Sequence, residues 1–73
     1  MVIYEANETK VARALEMWPR AAILAVLPME GFEGDVAAVF DAGAEACVRT
    51  PHTRIVIGHL QTLERRARVL QVI

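Results

Sequence analysis

Seven consecutive apolar residues, AAILAVL at positions 21–27, constrain the fold of this 73-residue chain more than any other feature. The run is closed by Pro28, and its length suits a strand better than a helix. Because no polar residues alternate with the apolar ones, we expect both faces of this strand to be covered, as in a parallel sheet. The run is also well short of the ~18 residues that a membrane-spanning helix needs.

Short strands and helices alternate along the rest of the chain. Residues 2–4 and 45–49 are predicted strands, and Asn7 is positioned to cap a helix that ends before Pro19. The order β-α-β-α-β-α indicates one α/β domain over residues 1–73, with right-handed crossovers and a short parallel sheet.

The second and third predicted helices carry start and stop signals. The second helix is expected to begin at a cap on Asp35 and to stop at Gly43, in the left-handed conformation that glycine favours. Its inward-facing residues are expected to be Val36, Val39 and Phe40. Thr53 is the expected cap of a long last helix.

The last helix carries an apolar stripe with spacings of 4, 3, 4 and 3 residues. This period of 3.5 is typical of a helix that packs against another helix. We therefore predict a protein–protein interface formed by Val56, Leu60, Leu63, Ala67 and Leu70.

Composition excludes several classes of protein. A hydrophobic fraction of 55% excludes a disordered chain. The single cysteine, Cys47, excludes an internal disulfide, and the chain starts without a signal-peptide pattern. We expect a cytoplasmic protein that does not enter the membrane.

Charge is distributed unevenly along the chain. Residues 1–48 hold three basic and eight acidic side chains, a net charge of −5, and residues 49–73 hold five basic and one acidic, a net of +4. Halves of opposite sign favour intramolecular or head-to-tail pairing. Arg65, Arg66 and Arg68 could contact nucleic acid, but no aromatic residue lies between them, so we favour interhelical salt bridges or a solvated helix face.

The sequence offers few residues for catalysis or metal binding. The spacing of Cys47, His52 and His59 matches no zinc signature, and a lone thiol in an apolar strand is usually inert. Carboxylates near predicted strand ends or loops have no paired base; they are Glu5, Glu30 and Glu33. We therefore predict a non-enzyme with no catalytic, cofactor-binding or metal-binding residues.

Several segments resemble the receiver domains of bacterial two-component response regulators. Residues 41–51, DAGAEACVRTP, resemble the family's D-A-G-A-D-x-Y-x-x-K-P stretch, and residues 30–33, EGFE, resemble its D-G-F-E. Residues 4–19 and 22–28 are similar to its second strand and helix and its third strand. The last helix is similar to the fifth. The resemblance implies a reduced flavodoxin-like, receiver-like fold of three layers and a role in signal transduction or transcription regulation.

The departures from the family pattern concern its chemistry. The family's phosphoacceptor aspartate ends the third strand, where this chain reads Leu24-Ala25-Val26. Thr50 replaces the lysine before Pro51, at a peptide bond that is often cis in the family. Arg49 is adjacent, but strand neighbours point to opposite faces. The acidic metal pair is also missing, so we predict that aspartyl phosphorylation does not occur.

The family's first and fourth strands have no counterpart here. Receiver strands are ordered 2-1-3-4-5, so the three that remain are not neighbours in that order. Either they close up into a new sheet or another chain supplies the missing pairing, because buried unpaired backbone groups cost ~1–3 kcal/mol each. An open edge on residues 21–27 predicts an obligate oligomer, with a symmetric dimer expected.

The expected function follows from the missing chemistry and the predicted dimer. It is a phosphorylation-independent receiver-like module that acts through homodimerisation or by binding a signalling protein. The resemblance implies that the dimer uses a face around the last helix, as receivers commonly do. The alternative is the regulatory fragment of a DNA-binding response regulator whose effector domain is absent.

Overall fold

Three short parallel strands form one sheet, and each strand is followed by a helix. The computed structural model describes the backbone of residues 1–50 and 52–72, and the side chains of these ranges as far as Arg66. In chain order the elements are β1 (Val2–Tyr4), α1 (Glu8–Met17), β2 (Leu24–Leu27), α2 (Glu33–Asp41), β3 (Ala46–Arg49) and α3 (Thr53–Val72). This order confirms the predicted α/β architecture.

The sheet has the order β1-β2-β3, with β2 in the centre. Leu24 lies opposite Val2 of β1 and Ala46 of β3. The three strands therefore close up among themselves, and the apolar strand has no open edge. The outer edges of the sheet belong to β1 and β3.

The apolar run contributes a shorter strand than its seven residues predict. The amide of Ala21 donates to the carbonyl of Trp18, so the first part of the run forms the turn that leaves α1. The carbonyl of Ile23 already accepts from the amides of Glu45 and Ala46. Pairing with β1 and β3 is then regular from Leu24 onward.

Helices cover both faces of the sheet, as predicted. Side chains of α1 and α2 pack on one face around Ala25 and Leu27, with Val11 and Val39 fully buried. Side chains of α3 pack on the other face against β2; this second cluster comprises Leu24, Val26, Val56 and Leu63, flanked by Val2, Ala46, Val48 and Leu60. The result is three layers, with helix, sheet and helix stacked in turn.

The predicted cap of α1 is confirmed. The side-chain oxygen of Asn7 accepts a hydrogen bond from the amide of Lys10 at 2.8 Å. Glu8 lies in the first turn, where its negative charge favours the positive end of the helix dipole. The helix ends at Met17, directly before Trp18 and Pro19, because proline cannot continue it.

The predictions for α2 need two corrections. Phe32 occupies the N-cap position without a side-chain hydrogen bond, and Asp35 lies in the first turn instead of capping it. Phe40 is 46% exposed, because its neighbour Val39 takes the inward direction and adjacent helical residues point about 100° apart. Gly43 stops the helix as predicted, with φ of 115°.

Thr50, instead of Thr53, organises the start of α3. The hydroxyl of Thr50 accepts from the amide of His52 at 3.0 Å, and Thr53 is the first helical residue. The carbonyl of His52 accepts from the amides of Ile55 and Val56. The expectation of a cis bond before Pro51 lies outside the described residues.

Candidate functional site

The carboxyl ends of the strands form the edge at which α/β sheets commonly bind ligands. At this edge β2 ends in Leu27, and its four side chains are apolar and buried. The strand that resembles the phosphoacceptor strand of receivers therefore presents no carboxylate. Glu5, which follows β1, is exposed and has a positive φ of 49°.

Arg49 makes two long-range hydrogen bonds at this edge. Its guanidinium donates to the carbonyl of Pro28 at 2.9 Å and to the carbonyl of Phe32. These bonds tie the end of β3 to the loop between β2 and α2. Gly31 leaves room for them, since a Cβ at this position would lie 2.9 Å from an Arg49 nitrogen. We call this arrangement the Arg49 clasp.

Thr50 and Arg49 are both committed to structural contacts. Thr50 is 6% exposed, and its hydroxyl closes the turn into α3. Arg49 reaches the loop that leads into α2, whereas Val48 packs under α3. The Arg49 clasp could not be predicted from residue types, because its acceptors are backbone carbonyls 21 and 17 residues away.

Cys47 and the two histidines do not form a common site. Cys47 packs against the core beneath α1 and α2, where burial raises its pKa and the charge of Arg49 partly opposes that rise. The thiol is therefore protonated at neutral pH and is a poor nucleophile. Both histidines are exposed; His52 directly precedes α3, and His59 lies on it. In the described part of the chain, no group of three His, Cys, Asp or Glu side chains is placed to hold a metal ion.

The structure places two residues of the predicted interface on the last helix in the core of the same chain. Val56 is 3% exposed and Leu63 is 6% exposed, and both pack against β2 within the same chain. Leu60 is partly buried in the same cluster. The side chains of Ala67 and Leu70 lie outside the described residues. The described part of the apolar stripe faces the sheet because α3 covers that face, so Val56 and Leu63 are not available to a partner.

Other large apolar side chains remain at the surface. Phe32 is 82% exposed and Met29 is 65% exposed, and both belong to the loop held by the Arg49 clasp. The others are at least 39% exposed: Met1, Tyr4, Met17, Trp18, Phe40, Ile55 and Ile57. Apolar surface suited to association is therefore present, but it lies outside the predicted stripe.

A groove of about 530 Å³ runs between α1 and α2. Its small lining residues are Thr9, Ala12, Ala38 and Ala42. Its charged lining residues are Glu8, Arg13, Glu16 and Asp41. With three carboxylates and one guanidinium, the groove carries net negative charge.

The fold converts the charge asymmetry of the sequence into two oppositely charged faces. The layer formed by α1 and α2 holds five acidic and two basic side chains. On the opposite face of the sheet, the described side chains of α3 include three arginines, Arg54, Arg65 and Arg66, and one acid, Glu64. The sheet separates the acidic layer from the basic one.

Comparison with protein-family models, with curated proteins and with solved structures gives no match. The functional argument therefore rests on the residues of this chain. Over residues 1–50 and 52–72, no helix has both the length and the apolar character needed to cross a bilayer.

Proposed function

We propose that this chain is a receiver-like module of signal transduction or transcription regulation that acts by associating with copies of itself, without accepting a phosphoryl group. A cytoplasmic location is part of this proposal, since the single cysteine provides no internal disulfide.

The absence of phosphoryl chemistry is supported by the carboxyl edge of the sheet. Aspartyl phosphorylation needs a carboxylate nucleophile and acidic neighbours that hold Mg²⁺. Here β2 offers only Leu24, Ala25, Val26 and Leu27, all at most 5% exposed. Arg49, at the end of β3, already donates to two loop carbonyls.

Self-association is supported above all by the large apolar side chains at the surface. Phe32, Met17 and Met29 are each at least 65% exposed. Phe32 and Met29 lie in one short loop, and exposed apolar side chains that are grouped favour contact with another protein. The charged faces described above add electrostatic complementarity between copies.

Sedimentation equilibrium over a wide range of protein concentration tests the association. We expect a weight-average mass that exceeds the 8.1 kDa of the monomer at micromolar concentration and falls toward it on dilution. A mass of 8.1 kDa throughout would contradict self-association.

Incubation with acetyl phosphate and Mg²⁺ tests the second half of the proposal. We expect intact-mass spectrometry to show no phosphoryl adduct, while a phosphorylatable receiver domain in the same tube gains one. A stoichiometric gain of one phosphoryl group by this chain would refute the proposal.

A further inference from the structure

We propose that the groove between α1 and α2 of one copy receives the outer face of α3 from a second copy, so that the chains associate head to tail. This inference rests on the self-association proposed above and assigns the two charged surfaces that pair; the exposed side chains of Phe32, Met17 and Met29 lie outside both of them.

The outer face of α3 is flat in the middle and positively charged at both ends. Val56 and Leu63 face the sheet, so residues about 180° away on the helix point outward. These outward residues are Arg54, Gly58, Gln61 and Arg65, all exposed. Arg54 and Arg65 are three turns apart, about 16 Å along the helix axis. A Cβ placed on Gly58 would meet nothing within 4 Å, so the middle of this face is open.

The groove has a complementary shape and charge. The small side chains of Ala12, Ala38 and Ala42 line it, so another helix can approach closely. Its carboxylates, Glu8, Glu16 and Asp41, outnumber its one guanidinium, Arg13. The two arginines at the ends of the α3 face would meet these carboxylates across the contact.

The fold itself identifies a second copy as the occupant. Opposite charges on one chain could pair within the molecule, but here the sheet lies between the acidic α1–α2 layer and α3. Each copy therefore displays both complementary surfaces and cannot bring its own two together. A second copy can place its basic α3 face in the acidic groove of the first.

The position of the surfaces also determines the symmetry of the assembly. The groove and the outer face of α3 are different patches on opposite faces of the molecule, so their contact is heterologous. Each added copy leaves one groove and one α3 face free, and growth continues beyond two chains unless a ring closes. The geometry thus favours a head-to-tail assembly over the symmetric dimer expected from the sequence.

Charge reversal on each surface tests the contact. The groove variant is Glu16→Arg with Asp41→Arg, and the helix variant is Arg54→Glu with Arg65→Glu. Because like charges then face each other, we expect either variant to weaken self-association at least about tenfold in sedimentation equilibrium. Combining all four changes restores opposite charges with the signs exchanged and keeps the formal net charge at −1. We expect association of this combined variant to recover.

Two further variants distinguish loss of this contact from an effect of net charge alone. Glu30→Arg with Glu45→Arg changes the net charge as much as the groove variant does, at exposed loop positions outside both surfaces. We expect it to associate like the wild type. Gly58→Trp places a bulky side chain in the open middle of the α3 face. We expect it to retain the wild-type circular dichroism spectrum and to lose association.

The outcomes distinguish this inference from the proposed function. If the wild type associates and both reversals and Gly58→Trp associate equally well, the assigned surfaces are wrong while self-association stands. If the combined variant stays monomeric although folded, the charge pairing is wrong. A wild type that is monomeric at every concentration contradicts both proposals. Should a reversal variant fail to fold, Gly58→Trp and the salt dependence of wild-type association decide the question.

Discussion

Replacing Leu63 by alanine tests whether the apolar stripe of α3 is core or interface. The side chain is 6% exposed and packs with Leu24, Val26 and Val56. Leu63→Ala removes three buried carbons, about 2.4 kcal/mol at ~0.8 kcal/mol each, and the remaining cavity brings the loss to about 3 kcal/mol. A domain of this length is stable by roughly 4–11 kcal/mol, so the expected loss is a large fraction of the total.

Urea unfolding followed by circular dichroism at two protein concentrations measures this loss. With a slope near 1 kcal/mol per molar urea, the midpoint is expected to fall by about 3 M at both concentrations. Ile57→Ala, at a side chain 47% exposed on the same helix, serves as the control and is expected to cost less than about 1 kcal/mol. A Leu63→Ala loss that vanishes at low concentration, or that is no larger than the Ile57→Ala loss, would refute the core assignment.

Three other perturbations follow from particular contacts. Gly43→Ala is expected to lower the free energy of unfolding by more than about 1 kcal/mol, because φ is 115° and the new Cβ would overlap the Leu15 side chain. Gly34→Ala, whose Cβ would meet nothing within 4 Å, is the control and is expected to be neutral or stabilising when thermal melts of both variants are compared with the wild type. Arg49→Lys is expected to speed amide hydrogen exchange in the loop at residues 28–32, because lysine cannot donate to the carbonyls of Pro28 and Phe32 in the same planar geometry. Unchanged exchange rates would show that the Arg49 clasp does not order this loop. Because burial raises the pKa of Cys47, the unfolded state loses the thiol proton at a lower pH than the folded state does. The free energy of unfolding is therefore expected to decline as pH rises above the ordinary thiol pKa of about 8.5. The decline is expected to be smaller in Cys47→Ala. Parallel pH profiles of the two proteins would contradict that link.

Local signals in the sequence predicted most of the secondary structure. Asn7 caps α1 through a hydrogen bond to a nearby amide, and Gly43 ends α2 through its own positive φ. Both roles depend on local geometry, so they could be inferred from residue type and position. The apolar run also predicted correctly that helices cover both faces of β2. Phe40 shows the limit of this reasoning, because three apolar residues in a short helix do not reveal which ones turn inward.

Features that depend on distant contacts could not be predicted in this way. The stripe of Val56 and Leu63 indicates that α3 packs on something, but its spacing does not distinguish a sheet of the same chain from a second chain. The Arg49 clasp joins backbone carbonyls that carry no residue-specific signal. The resemblance to receivers led us to expect that two strands have no counterpart, but it did not indicate that β1 and β3 pair directly with β2.

Hydrogen exchange of the β2 amides, measured by NMR at low protein concentration, tests the central claim that the sheet is complete within one chain. The amide of Leu24 donates to the carbonyl of Met1, directly before β1, at 2.8 Å. On the other side, the amide of Ala46 in β3 donates to the carbonyl of Ile23 at 3.3 Å. Successive amides of β2 therefore alternate between the two neighbouring strands. We predict slow exchange at all four consecutive positions from Leu24 to Leu27, independent of concentration. Protection at alternate residues only, or protection that disappears on dilution, would show that β2 has an open edge and needs another chain.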